Sequence, residues 1–363
     1  MIEMGAFVSS RNDLQIQNEG EPMSQHDGNL IRRRSIIQGV GASVSLISFP
    51  FINSAISQTL TPITMAIQWV PRGEYATYYM AREKGYYKER GFDVTFKHML
   101  GNALAFQALS SGNADIIHAD LLQMLMLQGR APDPQMRSLA VVGDKLNISL
   151  FFQKGKGINK PSDLENRTIV DSPGSTAPAM YKIFAKANGF DPNKTVWKNA
   201  AGNAKVALML QGEADAVAIG LPAKPSIDSK LPNGQEIGFF TFGDHGVNVY
   251  GDGLITTEKN WRERPDAMKA FVQATMKGCK DAFADPVAGA ASMVKHYPEM
   301  DRALSVKELD LIRDVAIGKT QKEKGLGFHD PVKFKATHDV VTGLLGQPIA
   351  KPSTDFFTNA AFT

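Results

Sequence analysis

The chain has 363 residues, 43% of them apolar and 21% charged, with a formal charge of +3. This balance excludes a wholly disordered chain, and so small a charge, with no basic run interleaved with aromatics, excludes a nucleic-acid binder. The length allows about two domains.

The first segment reads as an address. Arg32, Arg33 and Arg34 precede an apolar run, IIQGVGASVSLISFPFI, that ends near Ala55-Ile56-Ser57. Charged region, apolar core and small-residue cleavage site in this order predict a signal peptide over residues 1–57. The paired arginines point to the twin-arginine route, although Gln38 stands where that pattern often has Lys. The long lead before them leaves Met1 and Met23 as alternative starts. The apolar run is short for a membrane span and holds Gly39, Gly41 and Pro50, so cleavage and a periplasmic location are expected rather than anchoring. The only cysteine, Cys279, lies in an amphipathic stretch and is expected to be a buried structural thiol. The seven histidines show no His-x-x-x-His pair, so no metal site is predicted.

From Thr61 onward strand-like and helix-like segments alternate. ITMAIQWV is apolar and strand-like, EYATYYMAREKGYYKERG has helical spacing up to Gly91, and FDVTFKHM alternates as a strand. ALAFQALSSG closes as a helix at Gly112, and ADIIHA is a buried strand. LLQMLMLQGR and RSLAVVG add a helix and a strand. A second series runs from ISLFFQK through TIVDS, APAMYKIFAKANG, TVWKNA, GNAKVALMLQG and ADAVAIG to EIGFFTFG and GLITT. This rhythm predicts an α/β fold with mostly parallel sheets. After Glu258 the chain reads as helices, with Pro265, Pro286 and Pro331 at or near their starts. One pattern occurs twice: SGNADIIHAD and QGEADAVAIG each follow a Gly-Asn-Ala helix start, so each α/β unit is expected to hold one copy.

The run QWVPRGEYATYYMAREKGYYKERGFDVTF resembles the start of the THI5/NMT1-like family of periplasmic ligand-binding proteins. Trp69, Pro71, Ala81, Lys84, Gly85, Tyr86, Tyr87, Gly91, Phe92, Asp93 and Val94 carry the likeness. It continues in order through PSDLENRTIVDSPGS, GEADAVAIG and YGDGLITTEKNWRERPDAMKAFVQA, covering roughly residues 63–286. The resemblance implies a type II two-lobe fold with two crossover hinges and a cleft between the lobes. Lobe 1 would comprise residues 60–145 plus 253–345, lobe 2 residues 146–252, and a C-terminal tail residues 346–363. Crossovers are expected near Gly143 to Lys145 and Tyr250 to Gly253.

Ligands of open α/β sheets bind beyond the carboxyl ends of the strands. Trp69 follows the first strand and is expected to stack on a planar ligand, with Tyr75 opening the next helix. In DSPGSTAP, Gly174 breaks the strand while Ser172, Ser175 and Thr176 offer hydroxyls beside free helix-start N–H groups, a ready anion site. Asp120 and Gly220 occupy the same place in the two repeats; Asp120 either accepts from a ligand amine or caps the next helix. Tyr250 and Asp252 at the second crossover are further candidates, whereas His118 and His245 read as structural histidines. The resemblance implies a monomeric solute-binding protein that passes a small molecule to an ABC permease and its ATPase. The ligand range is a thiamine-pyrimidine precursor, a sulfonate or an aromatic acid. An enzymatic branch of the family synthesises that pyrimidine using a histidine, where this chain has Gln123, and a cysteine cluster that it lacks; a third alternative is a ligand-sensing lobe for a receptor. No cofactor is expected.

Overall fold

The computed structural model describes residues 59–130, 134–202, 204–344, 346 and 348–363. The predicted signal peptide and its cleavage point lie outside the described residues. Among those described, no helix is long and apolar enough to cross a membrane.

Ten strands form two sheets. β1 (Thr61–Ile67), β2 (Phe92–His98), β3 (Ile116–Asp120), β4 (Met136–Val141) and β10 (Asp252–Thr257) make the first. β5 (Ile148–Gln153), β6 (Thr168–Asp171), β7 (Val196–Asn199), β8 (Ala216–Gly220) and β9 (Ile237–Thr241) make the second. The strand orders are β2-β1-β3-β10-β4 and β7-β6-β8-β5-β9. In each sheet four strands run the same way, and the strand arriving from the other sheet inserts antiparallel between two of them: β10 between β3 and β4, β5 between β8 and β9. The two sheets are thus copies of one topology, and the chain passes between them at 142–147 and again at 242–251. These two passages lie side by side, with the Gly251 amide donating to the Gly143 carbonyl (3.0 Å) and the Val142 amide to the Asp252 carbonyl (2.8 Å).

The sequence repeat acquires a physical reason here. In each copy a glycine ends the helix at positive φ, Gly112 at 76° and Gly212 at 80°, a conformation that costs glycine little. Each following Asp then ties its strand to the neighbouring one. Asp115 Oδ2 accepts from the Thr64 amide and Asp215 Oδ2 from the Thr168 amide, both at 2.8 Å. The other oxygen of each takes an arginine, Arg264 for Asp115 and Arg167 for Asp215. Ala-Asp in the repeat therefore sets strand register, and the copies diverge in chemistry from mid-strand, His118 against Ala218, to the far end, Asp120 against Gly220.

The helices on the first sheet's side are α1 (Ala76–Glu83), α2 (Tyr86–Glu89), α3 (Asn102–Ser110) and α4 (Leu121–Arg130). On the second are α5 (Ala177–Ala187), α6 (Ala204–Leu210) and α7 (Lys224–Asp228). The stretch expected as one helix from Tyr75 to Gly91 is broken at Gly85, whose φ of 77° separates α1 from α2. The helical C-terminal part supplies α8 (Glu258–Glu263), α9 (Pro265–Ala284), α10 (Pro286–Val294), α11 (Arg302–Ala316), α12 (Lys319–Lys324) and α13 (Pro331–Asp339). Pro265, Pro286 and Pro331 each open their helix, where the missing N–H has no intrahelical partner to lose. α9 packs on α1 so closely that Gly278 faces the Ala81 backbone. Cys279 beside it is 4% exposed, and burial pushes its thiol up to about 12. The chain end returns to the first sheet, where Phe357 bridges to Ser138 and the Thr358 amide donates to the Ser138 carbonyl.

Candidate functional site

Six of the eight strands that run the common way end at one place. Gln68 and Trp69 follow β1, Leu100 and Gly101 follow β2, and Asp120 ends β3. From the other sheet Asp171 ends β6, Ala201 and Gly202 come after β7, and Gly220 ends β8. These residues line a cavity of about 490 Å³ between the sheets. Its size lies within the range of small-molecule sites. Of the residues expected from sequence, Trp69, Tyr75, Asp120, Ser172, Gly174, Ser175, Thr176, Gly220 and Asp252 are all on its wall.

Tyr250 is not on the cavity wall, which corrects that expectation. Its side chain is fully buried, its hydroxyl accepts from the Asp330 amide (2.8 Å), and its ring faces Phe334 and Lys333. Its amide donates to Thr337 of α13 (3.0 Å). Tyr250 thus fastens the second passage to α13.

Trp69 is held from behind. The neutral His98 ring donates from Nδ1 to the Trp69 carbonyl (2.7 Å), and burial lowers the His98 pKa to about 4. Across the cavity Lys205 Nζ lies 5.4 Å from the centre of the Trp69 ring. Tyr75 is 2% exposed and packs edge-on against His98 and His118. His118 itself is buried between the Tyr78 hydroxyl and Asp252 Oδ2 (3.3 Å). His245 accepts its place in a second-lobe aromatic cluster with Phe184 and Phe240. His118 is enclosed by protein groups, and His245 is half-buried with its Nδ1 donating to the Thr241 carbonyl (2.8 Å).

Two hydroxyls of the DSPGSTAP turn are taken by the protein itself. The Ser175 hydroxyl accepts from the Ala177 amide (3.1 Å) and so starts α5. The Thr176 hydroxyl donates to Asp120 Oδ2 at 2.7 Å, across from the other lobe. One of the three hydroxyls foreseen for an anion, that of Thr176, is therefore taken by the protein's own carboxylate. Asp120 also caps α4, its Oδ1 accepting from the Leu122 (2.7 Å) and Gln123 (3.2 Å) amides. Of the two roles foreseen for it the cap is present, and the same side chain stands on the cavity wall. Burial first, and the charge of Asp252 second, push its carboxyl up to about 6.

Sequence reading missed Lys205, Asp171, Gln68, Arg72 and Glu74 on this wall. Lys205 is 3% exposed and donates to Asp171 Oδ1 (3.0 Å) and the Ala218 carbonyl (2.7 Å). The signal was a single lysine inside an apolar helix, GNAKVALML, opposite an aspartate that ends a buried strand. Arg72 donates to Glu308 Oε1 of α11 (3.0 Å), the same oxygen that accepts from Ser226 of α7 in the second lobe (2.9 Å). The wall thus carries two cations, both paired, against four carboxylates: Glu74, Asp120, Asp171 and Asp252. Burial pushes the Glu74 carboxyl up as well, against the pull of Arg72. Among the described residues no group of three or more His, Cys, Asp or Glu side chains is placed to hold a metal ion.

A cavity between two copies of one α/β topology, lined by strand ends from both, defines the class: a two-lobe solute-binding fold. Solved structures agree. The alkanesulfonate-binding protein SsuA from Xanthomonas axonopodis pv. citri, bound to MOPS, superposes with a TM-score of 0.63 at 13% identity over 80% of this chain and 95% of that one. The fold is the type II periplasmic-binding-protein fold. The family model described as NMT1/THI5 like matches residues 73–289, and the chain belongs to the NMT1/THI5-like family. Among its relatives is the riboflavin-binding protein RibY of Chloroflexus aurantiacus, 23% identical over 80% of this chain and 84% of the relative. A formylaminopyrimidine-binding protein of Halalkalibacterium halodurans is 28% identical over 61% and 66%. A 4-amino-5-hydroxymethyl-2-methylpyrimidine phosphate synthase of Saccharomyces cerevisiae, THI13, is 20% identical over 68% and 74%.

Proposed function

We propose that this protein is the capture component of an ABC importer and that its ligand is a small planar nitrogen heterocycle. The observation that carries the reading is the 490 Å³ cavity at the joint ends of both sheets, with Trp69 on its wall as a stacking surface. Nothing on that wall is an unpaired cation, which disfavours the sulfonate and aromatic-acid alternatives. The two binding relatives, named for a flavin and for an aminopyrimidine, support the same choice. Residues 1–57 then serve as the export signal, and a permease with its ATPase receives the loaded protein. No catalytic step is proposed: Asp120, Asp252 and His118 are engaged with neighbouring groups rather than arranged as a nucleophile and base.

Calorimetry of the mature chain tests this, with riboflavin, an aminopyrimidine, taurine, nitrate and benzoate as probes. The reading expects a heterocycle to bind and to raise Tm, because a ligand that binds only the folded state stabilises it by mass action. Binding of taurine or nitrate alone would contradict it. Replacing Arg33 and Arg34 by Lys should block export of a reporter fused after residue 57; unchanged export would remove the twin-arginine assignment.

A further inference from the structure

Four buried side-chain oxygens lack any hydrogen-bond partner among the described residues: Gln68 Oε1, Asp171 Oδ2, Ser172 Oγ and Gln123 Oε1. Three of the four belong to residues on the cavity wall. Buried polar groups in native proteins are nearly always paired, and an unpaired one is destabilising. Asp171 makes the case most clearly. The residue is 3% exposed, and its Oδ1 accepts from both Lys205 Nζ (3.0 Å) and the Ser172 amide (2.7 Å), while Oδ2 accepts from nothing. A carboxylate offers only acceptors, so whatever completes Oδ2 must be a donor.

Resting on the heterocycle reading above, we propose that the cleft selects ligands by their N–H groups and rejects anions, with the Asp171 and Gln68 oxygens reserved as the ligand's acceptors and the Ser172 hydroxyl, which can accept or donate, beside them. The charge pattern supports the second half. An anionic ligand would face Glu74, Asp120, Asp171 and Asp252, while Arg72 is held by Glu308 and Lys205 by Asp171. The Thr176 hydroxyl, in the turn that could have received an anion, donates to the Asp120 carboxylate. A ring carrying adjacent N–H donors, such as an amino- or oxo-substituted diazine, matches acceptors at the ends of β1 and β6 while its face meets Trp69.

The reservation has a signature that a structural role lacks. Removing an oxygen that has no partner in the empty protein should leave the empty protein's Tm unchanged or raise it, yet weaken the ligand. Ser172→Ala and Gln68→Met are therefore measured for both. Each should leave the ligand-free Tm within a degree of the wild type or above it, and lower affinity for a donor-bearing ring about fivefold or more. Asp171→Asn would strand Lys205, so it is made together with Lys205→Met; that pair should reduce the preference for donors about fivefold or more.

The probes are matched sets: 2,4-diaminopyrimidine, 2,4-dimethylpyrimidine and pyrimidine-4-carboxylate, and lumazine with its carboxylate. Diamino and lumazine members should bind at least tenfold more tightly than the methyl isostere, and the carboxylates should not bind. A carboxylate that binds as tightly as its amino partner overturns the proposal while the planar-ring reading stands. Binding of putrescine with no ring bound does the reverse. Variants that lower the ligand-free Tm and leave affinity unchanged, or silence from every probe, also overturn it.

Discussion

Asp120→Asn should abolish a pH dependence of cleft closure. In the closed protein Asp120 is 4% exposed, and its carboxyl is pushed up to about 6 from an ordinary value of 3.8. The cause is burial, with Asp252 adding to it, and the hydrogen bond from Thr176 only partly offsets them. Because Thr176 belongs to the other lobe, opening the cleft lets water reach the carboxylate and removes the cause. The closed form therefore holds its proton more tightly than the open form. A raised carboxyl favours the closed state fully below about 3.8 and loses that advantage as pH rises through about 6. Two pKa units correspond to an upper value of about 3 kcal/mol. Between pH 7.5 and 5 only part of this is realised, about 1.4 kcal/mol, or roughly a tenfold shift toward closure. Small-angle scattering of the ligand-free protein across this range reads the change as a falling radius of gyration. Asn keeps the α4 cap and the contact with Thr176 but cannot titrate, so its profile should be flat. A wild-type radius that grows on acidification, or an Asn variant with the wild-type slope, would refute the reasoning.

Three other expectations follow from named contacts. Trp69→Ala should weaken a planar ligand by ~1–3 kcal/mol, the value of a buried aromatic face, and calorimetry showing unchanged affinity would exclude stacking. Ser226→Ala removes an interlobe hydrogen bond to Glu308 (2.9 Å) and should cost about 1 kcal/mol of closure, seen as a several-fold faster ligand release in stopped flow. Gly73→Ala would bring a Cβ to 2.3 Å from the Ser305 carbonyl oxygen on α11 and displace the helix that carries Glu308. It should destabilise the fold by ~1–3 kcal/mol in denaturant titration, and a wild-type midpoint would show that α11 yields freely.

Most of the architecture was readable because its signals are local. Alternation of strand and helix, glycines at helix ends and prolines at helix starts each depend on neighbours in sequence. The repeat was visible for the same reason, although its purpose was not: Asp115 and Asp215 tie strands together across gaps of 51 and 47 residues. The cavity wall was only half readable. Strand-end residues such as Trp69 and Asp120 can be named from topology alone. Lys205 could not, because a lysine in a helix reads as exposed until its aspartate, 34 residues away, is seen beside it. Thr176 lies 56 residues from Asp120 in the other lobe, so the meeting of the two is a property of the closed fold. Tyr250 failed for the opposite reason. Its position at a passage between lobes was legible, but α13 packing behind it was not.

The central claim is that the cleft holds a planar, donor-bearing and non-anionic heterocycle. A crystal structure of the complex with the tightest-binding probe tests it most directly. The account predicts a ring stacked on Trp69, with an N–H within about 3 Å of Asp171 Oδ2, a normal donor–acceptor distance. A ligand carboxylate or sulfonate seated at Ser175 and Thr176, with Asp120 turned away, would contradict it.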